Sequence, residues 1–482
     1  MKLHRAIALA CLLAVFQGGR PLHAQNPATA PRQAGIYEGL WEGSLSIRQG
    51  GGATIGRSES QQSLSSGIRL RLLPKGQGAL LDIPQQSMYG YPLDEVSWSA
   101  ARIRFSLDAL GPGEDLVFEG VFSASASNPG SAGSKANPAG GAVIGTAISG
   151  SWKGTFVLSR METAPETGEK LLPVSSGGAS LPGTLLLPAK GPGAVPLVLL
   201  LAGAGTTDRN GNNYNVPGRS DSLGLLAKAL AAKGIASYRF DKRGSGESYM
   251  LEKGGLITSL TTHAEDAAQA LKLMLSLEGF SRIVVAGMNE GAWTGAAAIN
   301  RLEGEGIGID GLVVMDASGE DPLSDLRESL NGLDEASKKG ADSIIEAVLA
   351  GKSYAAPAGQ LAEFFAPSRS GWLKSWLAFK PSAEIAKVDA PVLFVYGSSD
   401  LQVPRRSFEK LLDARPNSAA RIIPSMNYAL KEVANEEENY QSFTDPGFPV
   451  AASLVDLLAA FAKAKPSPAG SLPYDRAPAK DQ

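Results

Sequence analysis

The chain has 482 residues, of which 43% are hydrophobic and 19% charged, and its formal net charge is −3. That length favours more than one domain, and 56 glycines with 30 prolines point to many turns. The small charge excludes the strongly basic footprint of proteins that bind nucleic acid or anionic membranes.

In chain order, the first stretch reads as an export signal spanning residues 1–24. Lys2 and Arg5 precede the apolar run Ala6–Phe16, and "LHA" at 22–24 supplies a small-residue cleavage site. The alternative is a membrane anchor, but the run falls short of the about 20 apolar residues a span needs. A mature chain starting near Gln25, with no transmembrane anchor, is expected to be periplasmic or extracellular. Cleavage removes the one cysteine, Cys11, and with it any disulfide, thiol nucleophile or thiolate metal site. It also removes His4 and His23, leaving His263 as the one histidine.

Residues 36–160 predict a β-rich domain, a compact antiparallel sheet or barrel. "YEGLWEGSLSI", "GIRLRLLP", "GALLDIP", "VSWSAARIRFSL", "LVFEGVF" and "ISGSWKGTFVLSR" are short, partly alternating stretches between Gly, Pro, Ser and Asp. Trp41 and Trp152 are expected to plug its core. The composition of 123–141 predicts a flexible loop. A polar linker, 161–170, leads into a different pattern. "VPLVLLL", "IASYRFD", "RIVVAG", "GLVVMDA" and "VLFVYG" are apolar strands alternating with helices such as "SLGLLAKALAAKG", which turns Leu223, Leu226 and Leu230 to one face. The pattern predicts an α/β domain over 170–465, with a mostly parallel sheet covered on both faces. No such strand interrupts 319–387, which is expected to be a helical cap over the C-terminal edge of the sheet. Residues 466–482 are expected to be a flexible tail.

Five motifs then occur in order: "AGAGTTDRNGN" (202–212), "FDKRGSGES" (240–248), "GMNEG" (287–291), "YGSSDLQVP" (396–404) and "SMNYALKEV" (425–433). In these the segment 170–465 resembles the α/β-hydrolase superfamily, in particular its bacterial esterase and serine-aminopeptidase-like branch. The stretches "GLWEG", "LDIPQQSMYGYP" and "GSWKGTF" resemble the β-domain that precedes such hydrolases in exported proteins.

The resemblance implies a serine on a strained strand-to-helix elbow, an Asp, and a histidine that takes the serine's proton. At those places this sequence has Asn289, Asp400 and Tyr428. Asp400 fits the acid. Asn289 tolerates the left-handed backbone of an elbow, but its amide has no proton that a base usefully removes. Tyr428 titrates near pH 10, against about 6.5 for an imidazole, and makes a poor base. Ala202 stands where many relatives carry histidine. The resemblance also implies an oxyanion hole from the backbone N–H groups of Gly203, Ala204, Gly205 and Glu290, which side-chain changes do not delete. His263, at the start of a helix, is expected at the surface or at that helix end, away from the site.

"LAGAGTTD" lacks the third glycine of a dinucleotide fingerprint, and "DRNGNN" lacks the Gly and Glu of a calcium loop. No cofactor or metal is therefore expected. Three readings remain open: a hydrolase-fold protein without triad catalysis that binds a small ester- or peptide-like ligand or a protein partner; an active ester or peptide hydrolase using another serine, such as Ser245 or Ser425, or acting through metal or water; and a structural or envelope-associated protein that binds through its β-domain.

Overall fold

The computed structural model describes residues 39–49, 63–72, 79–83, 88–99, 101–107, 115–123, 141–149, 152–161, 168–189, 193–205, 207–213, 219–251, 259–357, 361–362 and 364–464. The expected export signal, the interior of the 123–141 loop, most of the 161–170 linker and the tail lie outside the described residues. Among the described residues no helix is long and apolar enough to cross a membrane. The chain divides into two compact units, one within Gly19–Ala164 and one from Pro165 onward.

The first unit is one nine-stranded sheet. In chain order its strands are β1 (Gly39–Gln49), β2 (Ser63–Leu72), β3 (Ala79–Ile83), β4 (Met88–Pro92) and β5 (Asp94–Trp98). Then come β6 (Arg102–Leu107), β7 (Leu116–Ser123), β8 (Ala142–Ser149) and β9 (Trp152–Met161). The spatial order is β4-β3-β2-β1-β9-β8-β7-β6-β5, and every neighbouring pair is antiparallel.

Alternation sends Trp41, Leu45, Phe105, Phe118, Phe156 and Leu158 to one buried face. Trp41 on β1 and Phe122 on β7 lie three strands apart, yet their ring centroids are 5.6 Å apart. Strands spaced about 4.8 Å in a flat sheet would hold such rings much farther apart. The sheet therefore curls, and its inner face packs on itself. Two details differ from the sequence reading. "VSWSAARIRFSL" and "ISGSWKGTFVLSR" each fall across two strands, because a reversal at small residues interrupts the alternation, and "MYGYP" forms a strand outside the predicted stretches. The side chain of Trp152 lies outside the described residues.

The second unit opens with β10 (Glu169–Leu171), β11 (Val174–Ser176), β12 (Ala179–Leu181) and β13 (Gly183–Leu186). These strands are too short to register as periodic runs. The longer strands are β14 (Val195–Leu201), β15 (Ala236–Phe240), β16 (Phe280–Met288), β17 (Gly311–Met315), β18 (Val392–Gly397) and β19 (Ala419–Ile423). They form one sheet in the order β10-β13-β15-β14-β16-β17-β18-β19. The pairs from β15 to β19 are parallel, and the two pairs joining β10, β13 and β15 are antiparallel. Strand β14 sits between β15 and β16, so the chain leaves it in one direction and returns on the other side. Such a reversal opens a crevice at the C-terminal strand ends, beside the loops after β14 and β16.

The helices are α1 (Ser222–Ala232), α2 (Leu260–Leu275) and α3 (Glu290–Gly304), then α4 (Pro322–Leu330), α5 (Glu335–Leu349), α6 (Ser370–Ala378) and α7 (Pro381–Ala386), and finally α8 (Arg405–Ala414), α9 (Glu436–Gln441) and α10 (Ala452–Lys463). On α1, Leu223, Leu226 and Leu230 are buried, as helical spacing requires.

Among the described residues the segment 319–387 carries α4 to α7, and its last helix, α7, does not cover the C-terminal edge of the sheet. Asn300, near the far end of α3, donates from Nδ2 to the Glu384 carbonyl at 2.9 Å. A chain that starts another parallel strand must first return to the opposite edge of the sheet, and α7 makes that return.

Candidate functional site

The elbow is built by close packing. Asn289 joins β16 to α3 at φ 46° and ψ −118°, a strained conformation for a residue with a side chain. Its N–H donates to the Met315 carbonyl of β17 at 2.9 Å. A Cβ at Gly287 would stand 2.3 Å from the Ala292 nitrogen, and one at Gly291 would stand 2.4 Å from the Leu201 carbonyl oxygen. Glycine at both flanking positions is thus a packing requirement, whatever residue sits at the apex.

Asn289 and Tyr428 meet. The amide Nδ2 donates to the Tyr428 hydroxyl at 3.0 Å, although 139 residues separate them. The phenol ring stacks on Phe443, with centroids 6.3 Å apart, and its hydroxyl lies against the backbone of Gly203. Burial, reinforced by the nearby Asp400 carboxyl, pushes the phenol above the usual tyrosine range, against the hydrogen bond from Asn289. Tyr428 keeps its proton and has no basic lone pair to offer a nucleophile.

Asp400 sits in the turn after β18 and accepts from the Gln402 and Val403 N–H groups on Oδ1, at 2.6 and 3.0 Å. Its carboxyl has no histidine. Its buried Oδ2 has no hydrogen-bond partner among the described residues, and the group it interacts with is the carboxyl of Asp316, at the end of "GLVVMDA". Asp316 is fully buried at φ 42°, and its Oδ1 accepts from the Gly397 N–H at 2.7 Å. Burial raises the Asp400 carboxyl to about 7. Burial and the facing Asp400 charge hold Asp316 well above the usual carboxylate range, so the pair retains a proton at neutral pH.

This arrangement has a pH signature. Unfolded, Asp400 loses its proton near 3.8; folded, it does so at about 7. Between those values the folded state binds more protons, so this pair's contribution to stability falls as pH rises. Asp400→Asn would keep an acceptor for the two backbone N–H groups and offer Asp316 an amide donor. We expect it to match the parent near pH 4 and to exceed it by about 2 kcal/mol near pH 8, read by urea unfolding at each pH. A variant less stable than the parent at both would refute proton sharing.

The N–H groups of Gly203, Ala204, Gly205 and Glu290 make no hydrogen bond among the described residues. The Glu290 side chain points to α6, where its Oε1 accepts from Trp376 Nε1 at 2.7 Å. Burial raises this carboxyl's pKa.

No protein-family model matches the chain. It is 28% identical to Esterase EstD of Thermotoga maritima over 261 residues, 52% of this chain. It spans 58% of that relative's length. Among solved structures it is similar to Est1E from Butyrivibrio proteoclasticus, at TM-score 0.37 and 14% identity, covering 61% of this chain and 96% of the other. It is also similar to proline iminopeptidase of Mycobacterium smegmatis, at TM-score 0.38 and 15% identity, covering 61% and 99%.

His263 lies at the helix end, in the first turn of α2, and is half-buried, but the expectation that it stands away from the site is corrected. Its Nε2 is enclosed, with no hydrogen-bond partner, and its ring lines a pocket of about 20 Å³ with Ala202, Lys242, Glu290 and Thr294. That is room for about one water. Burial first, then the Lys242 and Arg243 charges, lowers the imidazole to about 3, so it is neutral. The fold brings α2 against α3, which sequence position alone did not reveal.

The two alternative serines are occupied otherwise. Ser245 is fully buried, and its Oγ donates to the Lys242 carbonyl at 2.8 Å. Ser425 is an exposed turn residue at φ 59°. Among the described residues neither hydroxyl bonds to an imidazole or a carboxylate.

Proposed function

We propose that the second unit is an α/β-hydrolase-fold domain that binds a small ester- or peptide-like ligand, or a protein partner, without Ser-His-Asp turnover. The β-rich unit precedes it in a chain exported from the cytoplasm. One observation carries this reading: the 3.0 Å hydrogen bond between Asn289 and Tyr428 stands where nucleophile and base would meet, and neither group can play its part. The carboxyl of Asp400 turns to Asp316 in the absence of an imidazole, which agrees with a site that no longer moves protons.

The similarity to a protein named as an esterase favours a second reading, an active ester hydrolase with a different nucleophile. A fluorophosphonate probe separates the two, because it labels only an activated serine. We expect no labelling of the full chain, and p-nitrophenyl acetate turnover no faster than that of Asp400→Ala. Some residual rate is compatible with binding alone, since sites stripped of triad members still exceed water by about 10³–10⁴-fold. A robust rate abolished by replacing one serine would establish the second reading.

A further inference from the structure

Beside the elbow, the loop after β14 uses its acceptors and keeps its donors. The Gly203 carbonyl accepts from Lys242 Nζ, and the Ala204 carbonyl accepts from Thr207 Oγ1 at 2.7 Å. A trans peptide points its N–H opposite to its carbonyl, so the Ala204 and Gly205 N–H groups face away from Lys242 and Thr207. Neither makes a hydrogen bond among the described residues, and nor do the N–H groups of Gly203 and Glu290. The same loop lies on the first turn of α3: a Cβ at Gly291 would stand 2.4 Å from the Leu201 carbonyl oxygen and 2.7 Å from that of Ala202. Helix α3 has 15 residues, and its free first N–H groups and its dipole favour negative charge there.

Tyr428 adds a donor that owes nothing to the helix. Its side chain is 9% exposed. The hydroxyl accepts from Asn289 Nδ2 at 3.0 Å, and its own proton has no acceptor among the described residues. Turning the amide over would let the phenol donate to Asn289 Oδ1 and would free both amide protons instead. Either way the pair presents an unused proton. The hydroxyl borders the loop, since a Cβ at Gly203 would stand 3.4 Å from it, and Asn289 and Gly205 are both partly exposed. Two cations, Lys242 and Arg369, act on the neighbouring Glu290. The acidic groups nearby, Glu290, Asp400 and Asp316, are all raised by burial, which lessens their opposition to an anion.

A bowl of donors selects an acceptor. An ester or amide carbonyl brings one acceptor oxygen and no charge. A carboxylate brings two oxygens and a negative charge, and hydrogen bonds to it are about twice as strong as neutral ones.

We propose that the site is a carboxylate receptor: the backbone N–H groups of the 203–205 loop and Glu290 hold one oxygen of a ligand carboxylate, and the Tyr428–Asn289 pair donates to the other. The ligand is then a free acid, either a small organic acid or a peptide C-terminus, and not its ester or amide. This narrows the ligand class of the same site and rests on the reading of that site as one that binds without turnover.

Isothermal titration calorimetry of the full chain, at neutral pH and constant ionic strength, tests it with sodium benzoate and N-acetylalanine, each beside its methyl ester. The two acids stand for a free organic acid and a peptide C-terminus, and the tighter binder identifies the source. We expect at least one acid to bind about tenfold or more tightly than its ester. Tyr428→Phe, which keeps the ring against Phe443, should cost the acid about tenfold in affinity and the ester little. Gly203→Ala, whose methyl would crowd the hydroxyl, should weaken the acid as well, so the result does not depend on one variant folding. Acids that fail to bind, or bind no more tightly than their esters, overturn the proposal, and so does an acid preference that survives in both folded variants. Fluorophosphonate labelling is a separate readout. A labelled serine refutes the binding reading, whereas an unlabelled chain with no preference for the acid refutes the carboxylate receptor alone.

Discussion

Asn289→Ser combined with Tyr428→His is expected to produce ester turnover about 10²-fold or more above either single variant, because nucleophile and base act as one unit. Asn289→Ser alone places a hydroxyl at the apex of the elbow, where it meets only a phenol that keeps its proton. Tyr428→His alone supplies a base with no hydroxyl to deprotonate. In the double variant, Asp400 Oδ2 is buried and has no hydrogen-bond partner among the described residues. It is therefore available to an imidazole N–H and would select the useful tautomer. The N–H groups of Gly203, Ala204 and Glu290 would meet the developing oxyanion. Recovery should be partial and best on small activated esters, because Trp376 of α6 packs on Glu290 beside the elbow. Fluorophosphonate labelling and p-nitrophenyl acetate turnover should appear together in the double variant and in neither single one. A folded double variant that stays unlabelled would show that the elbow no longer orients a nucleophile.

Asp266→Ala is expected to lower stability by about 3–5 kcal/mol, since it strands a buried cation. Arg243, from "FDKRGSGES", donates from Nε and Nη2 to the two carboxylate oxygens of Asp266 at 2.8 and 2.9 Å. Their side chains are 3% and 0% exposed. The same Nη2 reaches the Ser176 carbonyl at 2.7 Å, so one guanidinium joins β11 to α2. Adding Arg243→Met to Asp266→Ala should restore part of the loss, because the uncompensated charge disappears. Urea unfolding of the two variants beside the parent measures both effects. A loss under about 1 kcal/mol for Asp266→Ala, the size of an exposed pair, would contradict so dry an environment.

The two sites differ in how they could be read. The elbow is a local device: an apolar strand, two glycines and an Ala-rich helix lie within one short stretch, and its sterics act between near neighbours in sequence, with Gly287 against Ala292. The nucleophile and acid positions were legible for the same reason, each following an apolar strand, whereas Tyr428 is placed only by the resemblance of "SMNYALKEV". Asp316 also follows such a strand, at the end of "GLVVM", but nothing local marks it. Its partner stands 84 positions later, and only the pairing of β17 with β18 brings them together.

By itself, then, the sequence determined the alternation of buried strands with helices, the strained apex at 289, and the absence of a proton-accepting side chain at 428. These follow from residue chemistry and from periodicities that act within single elements. The tertiary structure alone decided what those residues do with their unused bonding capacity. It set Tyr428 on Asn289, Asp400 on Asp316, and His263 inside a pocket. It also made α7 a return segment and curled the first sheet onto its own core. Those outcomes depend on strand order and on which buried polar atoms must find partners when water is removed, and no periodicity in the chain encodes them.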